Sequence, residues 1–421
     1  MSLHRIASLL SLTALAAASV LPAVPASAAP EPASTTVTAA TGSIVLVRGH
    51  NVWLTRPDGT GARAVTGDGT AASPYEHPTM SDSGGIAVRK GSTFVRMRQD
   101  GTVLNRMTPR NLFLRDSDTV SITPVLDPEI SPDGTKIAYS QVRLQSYSGR
   151  LVSEALTGVT DATGWVGPDR YGIVEGWQPS WVTKSRLVLN VDGDVHLADL
   201  GKRDVAWFRS GDLFGRYIEL GQPEVSRDGT RVLFGASDHG VVMKTSVGDP
   251  RTGTPAPPTA TPDCAITPDE GEVGAVDPSF GPDGDSAAYS EDGDLWVVRG
   301  LAACGPGTTI TRIVAGGSQP DWSPAPLSAP RRTFTLARAP KVTGKAVVGK
   351  RLRASAGTWS PSPARVAYTW LRNGKVVKGR TGATYQVGRA DRGKKIKVRV
   401  TVRRSGYVAR TATSKAVRVR R

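Results

Sequence analysis

Cysteine and aromatic residues are scarce in this chain. Its 421 residues include two cysteines, and Phe, Trp and Tyr together account for 6%. Two thiols are too few for a structural zinc site, which takes about four ligands. They suffice for one disulfide, Cys264–Cys304, if the chain reaches an oxidising compartment. The sequence therefore predicts a bridge that closes a loop of about 40 residues.

Long apolar runs are absent after the first 28 residues, so the sequence does not predict a membrane-spanning protein. Near the start, His4 and Arg5 precede an uncharged apolar run over residues 6–20. This run is shorter than the about 20 residues that a membrane anchor needs. Together with the following Ala26-Ser27-Ala28, it is typical of a secretory signal peptide over residues 1–28. We therefore expect a secreted protein, either extracellular or associated with the cell wall.

Acidic residues are nearly missing from the last part of the chain. Residues 331–421 contain 26 Lys and Arg residues and one acid, Asp391, which gives this segment a net charge of +25. The preceding residues hold 27 basic and 36 acidic side chains, so the body of the protein is mildly acidic. Such a division of charge predicts an anionic partner for the basic segment.

Signatures of enzymes are also missing. The sequence contains no Gly-x-Ser-x-Gly nucleophile elbow, no His-Glu-x-x-His zinc motif and no phosphate-binding loop. The four histidines that come after Ala28 are scattered along the chain: His50, His77, His196 and His239. We therefore predict that this protein is not an enzyme and has no resident metal.

One motif recurs six times. Its fullest copy is Asp127-Pro-Glu-Ile-Ser-Pro-Asp-Gly-Thr-Lys-Ile-Ala-Tyr139, and the other copies begin at His77, Gln178, Gln222, Asp277 and Gln319. In this motif the first proline opens a strand, Pro-Asp-Gly makes a tight turn, and Ile-Ala-Tyr starts a buried second strand. The first prolines lie 42 to 55 residues apart, which fits one four-stranded blade per repeat. The sequence thus predicts an all-β fold with a six-bladed β-propeller.

The sixth copy of the motif is incomplete. It provides one strand, at residues 319–322, and the N-terminal part of the chain supplies the three strands that this copy lacks. Residues 43–48, 51–55 and 62–66 have the pattern of the second, third and fourth strands of a blade. We therefore expect the propeller to span residues 43–325, with its last blade closed by residues 43–66. Such closure leaves no free sheet edge.

These repeats resemble those of the TolB-type, WD-like propeller family, whose motif reads Pro-x-aromatic-Ser-Pro-Asp-Gly-x-x-Ile-Ala-Tyr. The resemblance covers about residues 43–325 and implies the propeller fold. It implies less about function, because the family ranges from periplasmic binding proteins to the propeller halves of peptidases.

A second domain comes after the repeats. Residues 326–340 are the predicted linker, and residues 341–421 are predicted to form a small, basic, Ig-like β-sandwich. Asn373-Gly374 between alternating residues indicates a hairpin, and in residues 395–402 basic and apolar residues alternate, so the apolar ones face a core. The pieces Gly357-Thr358-Trp359 and Tyr368-x-Trp370 resemble tail repeats of secreted actinobacterial proteins.

The first strand of each repeat is expected to be the innermost strand of its blade. The residues on either side of its proline then line the mouth of a central channel, with five acids and no Lys or Arg. The candidate binding residues are His77, Asp127, Glu129, Gln178, Gln222, Glu224, Asp277, Gln319 and Asp321. We predict that they bind a cation, for which calcium is considered, or the basic end of a peptide. The alternative is that they cap local turns.

The basic domain has its own candidate residues, which cluster on a hairpin and on one strand face. They are Lys375, Lys378, Arg380, Lys394, Lys395, Lys397, Arg399, Arg403 and Arg404. We predict that they hold an anionic polymer of the cell wall; the alternative is docking on the acidic propeller of the same chain. The few aromatic residues among them are needed for the core, which argues against specific recognition of nucleic acid.

The leading hypothesis is a secreted, non-catalytic binding or scaffold protein. Its propeller would present a face to an envelope protein or peptide, and its basic domain would anchor it to the cell envelope. The alternative is an extracellular enzyme of the lactonase or glycan lyase type, with a metal at the channel mouth. A third hypothesis is a passive component of the cell wall. No motif identifies the ligand.

Overall fold

Antiparallel strands make up most of the chain in the computed structural model. The structure describes residues 5–7, 41–114, 118–164, 170–236, 239–245, 248–258, 262–267, 276–330, 332–404 and 407–420. Helical segments within these ranges include the α-helix Ser210–Phe214 and the 3₁₀ turn Arg389–Asp391. No helix in the described ranges is long and apolar enough to cross a membrane. The chain divides into two compact units, the first ending at Ser328 and the second comprising Ala329–Arg421.

Six four-stranded blades form the first unit, and each begins with an inner strand that carries the motif's first proline. Blade 1 is Tyr75–Met80, Gly85–Lys90, Thr93–Arg98 and Val103–Met107. Blade 2 is Leu126–Ile130, Lys136–Tyr147, Arg150–Asp161 and Ile173–Glu175, with Thr119–Ile122 added beside its second strand. Blade 3 is Trp177–Thr183, Arg186–Val191, Asp194–Asp199 and Val205–Phe208.

The remaining three blades have the same order. Blade 4 is Leu220–Val225, Arg231–Ala236, His239–Lys244 and Cys264–Thr267. Blade 5 is Val276–Phe280, Ser286–Glu291, Asp294–Arg299 and Thr309–Val314. Blade 6 is Gly317–Ser323, Ser43–Arg48, Asn51–Thr55 and Arg63–Ala64. The predicted six-bladed propeller is confirmed, and so is the closure of its last blade by N-terminal strands.

The Pro-Asp-Gly segment forms the tight turn that the motif predicts. In blade 2 the Asp133 carboxylate accepts hydrogen bonds from the Ser131 hydroxyl (2.6 Å) and from the Thr135 amide (3.0 Å). Gly134 adopts φ +72°, which a residue without a Cβ reaches at no steric cost. The Gly134 amide also donates to the Ser131 carbonyl at 2.7 Å. The turn therefore satisfies its own polar groups and reverses the chain within four residues.

Apolar clusters fill the space between every pair of successive blades. Phe94 of blade 1 packs edge-on to Tyr139 of blade 2, with 5.7 Å between ring centroids. Comparable clusters join blades 2 and 3, 3 and 4, 4 and 5, and 5 and 6. The cluster around Val45 and Ile86 joins blade 6 to blade 1 and so completes the circle. Since burial of apolar surface drives folding, each blade is stabilised by both of its neighbours.

The predicted disulfide Cys264–Cys304 is present. Its Cα atoms are 5.3 Å apart, and both cysteines are buried in the cluster between blades 4 and 5. It therefore ties the outer strand of blade 4 to the segment that links the third and fourth strands of blade 5. Of the predicted signal peptide, the described residues are Arg5–Ala7, a short strand beside Cys264–Thr267; the rest of that prediction lies outside the described residues.

The second unit consists of three sheets around one apolar core. Their strands are Thr335–Arg338 with Thr358–Ser360; Lys341–Thr343, Arg351–Ser355 and Thr384–Gln386; and Lys375–Val376, Arg365–Arg372, Lys395–Arg403, Arg410–Thr413 and Val417–Arg418. The predicted alternation of residues 395–402 is confirmed, because Ile396, Val398, Val400 and Val402 are fully buried. Trp370 and Tyr385 lie beside them, with 5.0 Å between ring centroids. The Ig-like character of this unit stays a prediction.

This unit starts earlier than the sequence indicates. The predicted linker, residues 326–340, contains the strand Thr335–Arg338, which pairs with Thr358–Ser360. Phe334 is 1% exposed and packs against Trp359. The linker prediction is therefore wrong for these residues, because an apolar side chain here belongs to the core of the second unit.

Candidate functional site

Two rings of side chains surround the axis of the propeller. The mouth ring consists of the residues before the motif prolines: His77, Asp127, Gln178, Gln222, Asp277 and Gln319. The inner ring consists of the residues after them: Thr79, Glu129, Ser180, Glu224, Ser279 and Asp321. All nine residues predicted to bind a ligand line one cavity of about 120 Å³. The structure thus brings these nine residues together, and their binding role stays a prediction.

The backbone at the mouth ring has an unusual conformation that repeats six times. Each residue before a motif proline has a positive φ, between 44° at Asp127 and 52° at Gln319. The strand register shifts at the same point in each blade, as between Leu126 and Glu129 in blade 2. Non-glycine residues adopt this conformation at a cost of about 1–3 kcal/mol, and such costs are concentrated at functional sites. The two rings lie at different depths along the channel, since their residues are two positions apart in each strand.

Side chains of the mouth ring tie neighbouring blades together. Gln319 of blade 6 accepts a hydrogen bond from the His77 amide of blade 1 at 2.8 Å. Gln178 accepts one from the Gln222 amide at 2.8 Å, and Gln222 in turn accepts from the Asp277 amide at 3.0 Å. The Gln222 side-chain amide also donates to the Asp277 carboxylate at 2.6 Å. These hydrogen bonds run to the neighbouring blade and not to the local turns that the capping alternative names.

Three carboxyl groups meet in the inner ring. Burial raises the pKa of Glu224 to about 8, although the Phe280 amide donates to its carboxylate at 2.9 Å. Burial raises the pKa of Glu129 well above its ordinary value, and the negative charges of Asp321 and Glu224 raise it further. Burial also raises the pKa of Asp321, whose carboxylate accepts a hydrogen bond from the Met80 amide. A group of this kind holds protons near neutral pH.

At the mouth, the Asp127 carboxylate lies beside a histidine. It is 3.6 Å from the His77 Nδ1 atom. Burial raises the pKa of Asp127, and the nearby His77 opposes that rise. Among the described residues, no three His, Cys, Asp or Glu side chains are grouped so that they could hold a metal ion. The calcium considered from the sequence therefore stays a prediction.

An ion pair crosses the other end of the channel. Arg227 of blade 4 donates to the Asp82 carboxylate of blade 1 at 2.5 Å. Arg227 also lines a cavity of about 200 Å³ whose walls include Glu129, Glu224 and Asp321. Blades 1 and 4 face each other across a six-bladed ring, so the pair bridges the full width of the channel. It places a cation beneath the three carboxyl groups.

The sequence contains a signal for this pair that the predictions above did not use. Both residues occupy the position of the motif's second proline, which is Pro132 in blade 2 and Pro282 in blade 5. Blades 1 and 4 replace this proline by Asp82 and Arg227. The two substituted positions carry charges of opposite sign and lie three blades apart. Such a pair of substitutions in a repeat indicates a contact across the axis.

The predicted polyanion-binding residues lie on the surface of the second unit. All nine are exposed except Lys397, which is half-buried. Lys395, Lys397, Arg399 and Arg403 alternate with the buried residues of their strand, so they share its outward face. Strand pairing adds two residues that the sequence did not indicate, because Arg365 lies opposite Arg403 and Arg418 lies opposite Lys395.

The other candidates surround this face. Lys375 belongs to the edge strand next to Arg365–Arg372, and Lys378 and Arg380 come after it along the chain. Lys394 precedes the strand Lys395–Arg403. Arg404 comes directly after that strand and lies over the Tyr407 ring, with its guanidinium carbon 5.7 Å from the ring centroid. The hairpin and the strand face thus belong to one five-stranded sheet.

The one acidic residue of this unit, Asp391, forms its hydrogen bonds within the unit. The Asp391 carboxylate is 1% exposed and accepts hydrogen bonds from Arg372 (2.5 Å), the Tyr385 hydroxyl (2.9 Å) and the Gly388 amide (2.8 Å). Asp391 therefore neutralises Arg372 and leaves the other basic side chains of the unit without an acid from their own sequence segment.

No protein-family model matches this sequence, and a search of curated proteins finds no match. Solved structures with a similar backbone include TolB from Acinetobacter baumannii, which is 15% identical in sequence. The match covers 67% of this chain and 66% of that chain, with a TM-score of 0.39. They also include the Cps50 (Swd1) β-propeller domain of Myceliophteria thermophila, with 11% identity, 66% and 88% covered, and a TM-score of 0.37. Kluyvelomyces marxianus Hsv2 shows 10% identity over 89% and 95%, with a TM-score of 0.33. On the evidence of its own six blades, the last of which is closed by N-terminal strands, this chain is a six-bladed β-propeller followed by a second all-β unit.

Proposed function

We propose that this protein is an exported, non-catalytic binding protein that attaches to an anionic polymer of the cell envelope through its second unit. The propeller then presents the mouth ring and its surroundings to a second partner. The disulfide Cys264–Cys304 supports export, because such bridges persist in oxidising compartments.

The charge of the second unit is the observation that carries this proposal. Its 26 basic residues face one acid, and that acid is buried against Arg372. A charge of this size weakens a fold through self-repulsion, and a bound polyanion would relieve that cost. The outward sheet face offers a row of cations about 7 Å apart, since alternate residues of a strand share one face.

The aromatic residues of this unit favour a polymer read by charge rather than by stacking. Trp370 and Tyr385 are fully buried, and Trp359 is 5% exposed. Flat exposed rings, on which bases would stack, are therefore not provided by these residues. A polyphosphate backbone such as that of a wall polymer needs only the cations.

A matched pair of triple variants tests the proposal with inorganic polyphosphate as the probe. The first changes Lys395, Lys397 and Arg399 to Gln on the outward sheet face. The control changes Lys341, Lys345 and Lys350 to Gln, which removes the same charge from another part of the unit. Each lost contact of an exposed pair is worth about 0.2–1 kcal/mol. We expect the first variant to bind about tenfold more weakly in calorimetry, and the control to lose much less.

Salt and cell fractionation complete the test. Raising the salt concentration to 1 M shortens the Debye screening length to about 3 Å, so binding of the polyanion should weaken steeply. A chain that ends at Pro330 should pass from the wall fraction into the medium. Equal losses for the two triple variants would contradict attachment through this sheet face. Retention of the shortened chain in the wall would contradict attachment through the second unit and favour the alternative of docking on the propeller.

For the channel, we propose a cationic ligand, either a metal cation or the basic end of a peptide. The inner-ring acids support this, because a cation would replace the protons that burial leaves on Glu129 and Glu224. Binding should therefore release protons, which calorimetry in buffers of different ionisation enthalpy measures. Neutralising Asp127, Glu129 and Glu224 together should abolish it. If neither calcium nor a Lys-terminated peptide binds the wild type, these acids are structural.

The enzyme hypothesis, a lactonase or glycan lyase type with a metal at the mouth, calls for a separate measurement. Hydrolysis of lactones and cleavage of uronic-acid glycans should be assayed with and without added calcium. We expect no turnover in either condition, and calcium-dependent turnover would replace the binding proposal.

A further inference from the structure

Blade 2 carries a hairpin that is longer than any equivalent in the described blades. Its strands, Lys136–Tyr147 and Arg150–Asp161, have 12 residues each, whereas the second and third strands of the other blades have five or six. The inner strand pairs with the hairpin only up to Ser140. The rest of the hairpin extends past the beginning of the inner strand and so rises on the side of the channel mouth.

The outer edge of this extension has no strand beside it among the described residues. The strand Ile173–Glu175 pairs with Leu156, Thr157 and Gly158, and not with residues 150–154. The Gly176 amide donates to the Ala155 carbonyl, so the backbone of Ala155 points outward. Since backbone direction alternates along a strand, the N–H and C=O groups of Leu151 and Ser153 point outward as well. This edge is a template for one more strand.

A groove of about 750 Å³ runs beside that edge. Its walls come from the hairpin, from blade 3 and from the segment between blades 3 and 4, and include Val152, Trp177 and Tyr217. The groove is also lined by four acids, Glu154, Glu175, Asp192 and Glu219, and by no Lys or Arg. Glu154 is paired with Arg143 at 2.6 Å. The described residues provide no ion pair for the other three acids, which are exposed.

Apolar side chains at the tip of the hairpin are exposed as well. Tyr147 is 71% exposed, Leu151 65% and Val152 51%. Tyr217, across the groove, is 70% exposed. Exposed apolar surface that is grouped in one place and bordered by charge marks a site of protein interaction. The free edge, the acids, Val152 and Tyr217 border the same groove, whereas Leu151 lies on the opposite face of its strand.

We propose that residues 150–154 receive an extended, basic segment of another protein as an added β-strand. Five residues of edge, about 17 Å long, would provide main-chain hydrogen bonds. Lys or Arg side chains of the segment would meet Glu175, Asp192 and Glu219, and its apolar side chains would pack on Val152 and Trp177. In such strand addition the main chain supplies affinity and alternate side chains supply specificity. This site lies outside the channel and goes beyond the proposed function.

Three synthetic decapeptides test the proposal on the wild-type protein. The first alternates Lys and Val with blocked ends, and the other two carry N-methyl groups on all Lys amides or on all Val amides. In a strand, the Lys amides point to one edge and the Val amides to the other. We expect the unmodified peptide to bind, one methylated peptide to bind at least tenfold more weakly, and the other to bind almost unchanged. Equal binding by all three would show attraction by charge alone and overturn the proposal, as would failure of the unmodified peptide to bind.

A pair of variants tests the edge from the protein side. Ser153→Pro removes one outward N–H, and proline is tolerated where the N–H of an edge strand faces solvent. Ser153→Ala keeps that N–H and serves as the control. We expect the first variant to weaken binding of the Lys–Val decapeptide about tenfold and the second to leave it unchanged. If both variants bind as the wild type does, the peptide lies elsewhere. A matching Glu–Val decapeptide should not bind, and its binding would contradict the role of the acids.

Discussion

Replacing Glu224 with Gln should make the propeller more stable at pH 8 and leave its stability at pH 5 nearly unchanged. The ordinary pKa of a glutamate is 4.5, and burial raises the pKa of Glu224 to about 8. Between these values the folded protein keeps a proton that the unfolded chain has lost. The unfolded state therefore binds fewer protons, and the free energy of unfolding falls as the pH rises. Gln carries no charge and keeps an oxygen for the Phe280 amide.

The magnitude comes from the same two values. One pH unit corresponds to about 1.36 kcal/mol, so the whole interval is worth about 5 kcal/mol. The Glu224 side chain faces the channel, where water reaches it, so we expect on the order of 2–3 kcal/mol. Asp321 and Glu129 contribute in the same direction and keep part of the slope in the variant.

Urea unfolding of the protein at half-unit steps from pH 5 to 8.5 measures this effect. Because the chain has two compact units, the propeller transition has to be followed separately from that of the second unit. Exposed Glu175, changed to Gln, is the control and should reproduce the wild-type slope. An equal slope for the wild type and the Glu224→Gln variant, or a wild type that gains stability from pH 5 to 8, would refute the reasoning.

Three further predictions concern stability. Replacing Cys264 and Cys304 with Ser should lower the unfolding free energy of the propeller by about 3–4 kcal/mol, since the bridge spans 40 residues; equal urea midpoints would contradict this. A double-mutant cycle of Arg227→Ala and Asp82→Ala should give a coupling of about 0.2–1 kcal/mol, because the side chains are 35% and 44% exposed; zero coupling would show that the two do not pair in solution. Asp391→Asn should destabilise the second unit by about 1–3 kcal/mol and leave the propeller transition in place, whereas a shift of both transitions would mean that the units unfold together.

Local chemistry made most of the propeller predictable. Pro-Asp-Gly requires a tight turn wherever it occurs, and the spacing of the prolines indicated the number of blades. The closure by residues 43–66 was predictable because the truncated copy at Gln319 lacks three strands. The positive φ before each proline was missed, since the residue before proline is usually extended. The polar residues His77 and Asp127 at that position are among those that tolerate it.

Contacts between distant residues were less predictable. The outward face of the basic strand was evident from alternation, but Arg365 and Arg418 joined it through strand register, which a single sequence does not reveal. The length of the blade 2 hairpin was also missed, because polar and apolar residues alternate only as far as Gln145. The groove depends on residues of two blades, and only the folded chain brings them together.

The way the last blade closes also determines when the ring can form. Ser43 pairs with Ser323, and its hydroxyl donates to the Ala325 carbonyl 282 residues later. During synthesis the N-terminal strands leave the ribosome first and stay without their partner until the end of the repeat array has emerged. An unpaired β-ribbon of this kind is prone to join the wrong edge. The ring can therefore be completed only after Gly317–Ser323 has emerged, and a chain that crosses a membrane unfolded would close it on the far side, once its last blade has arrived.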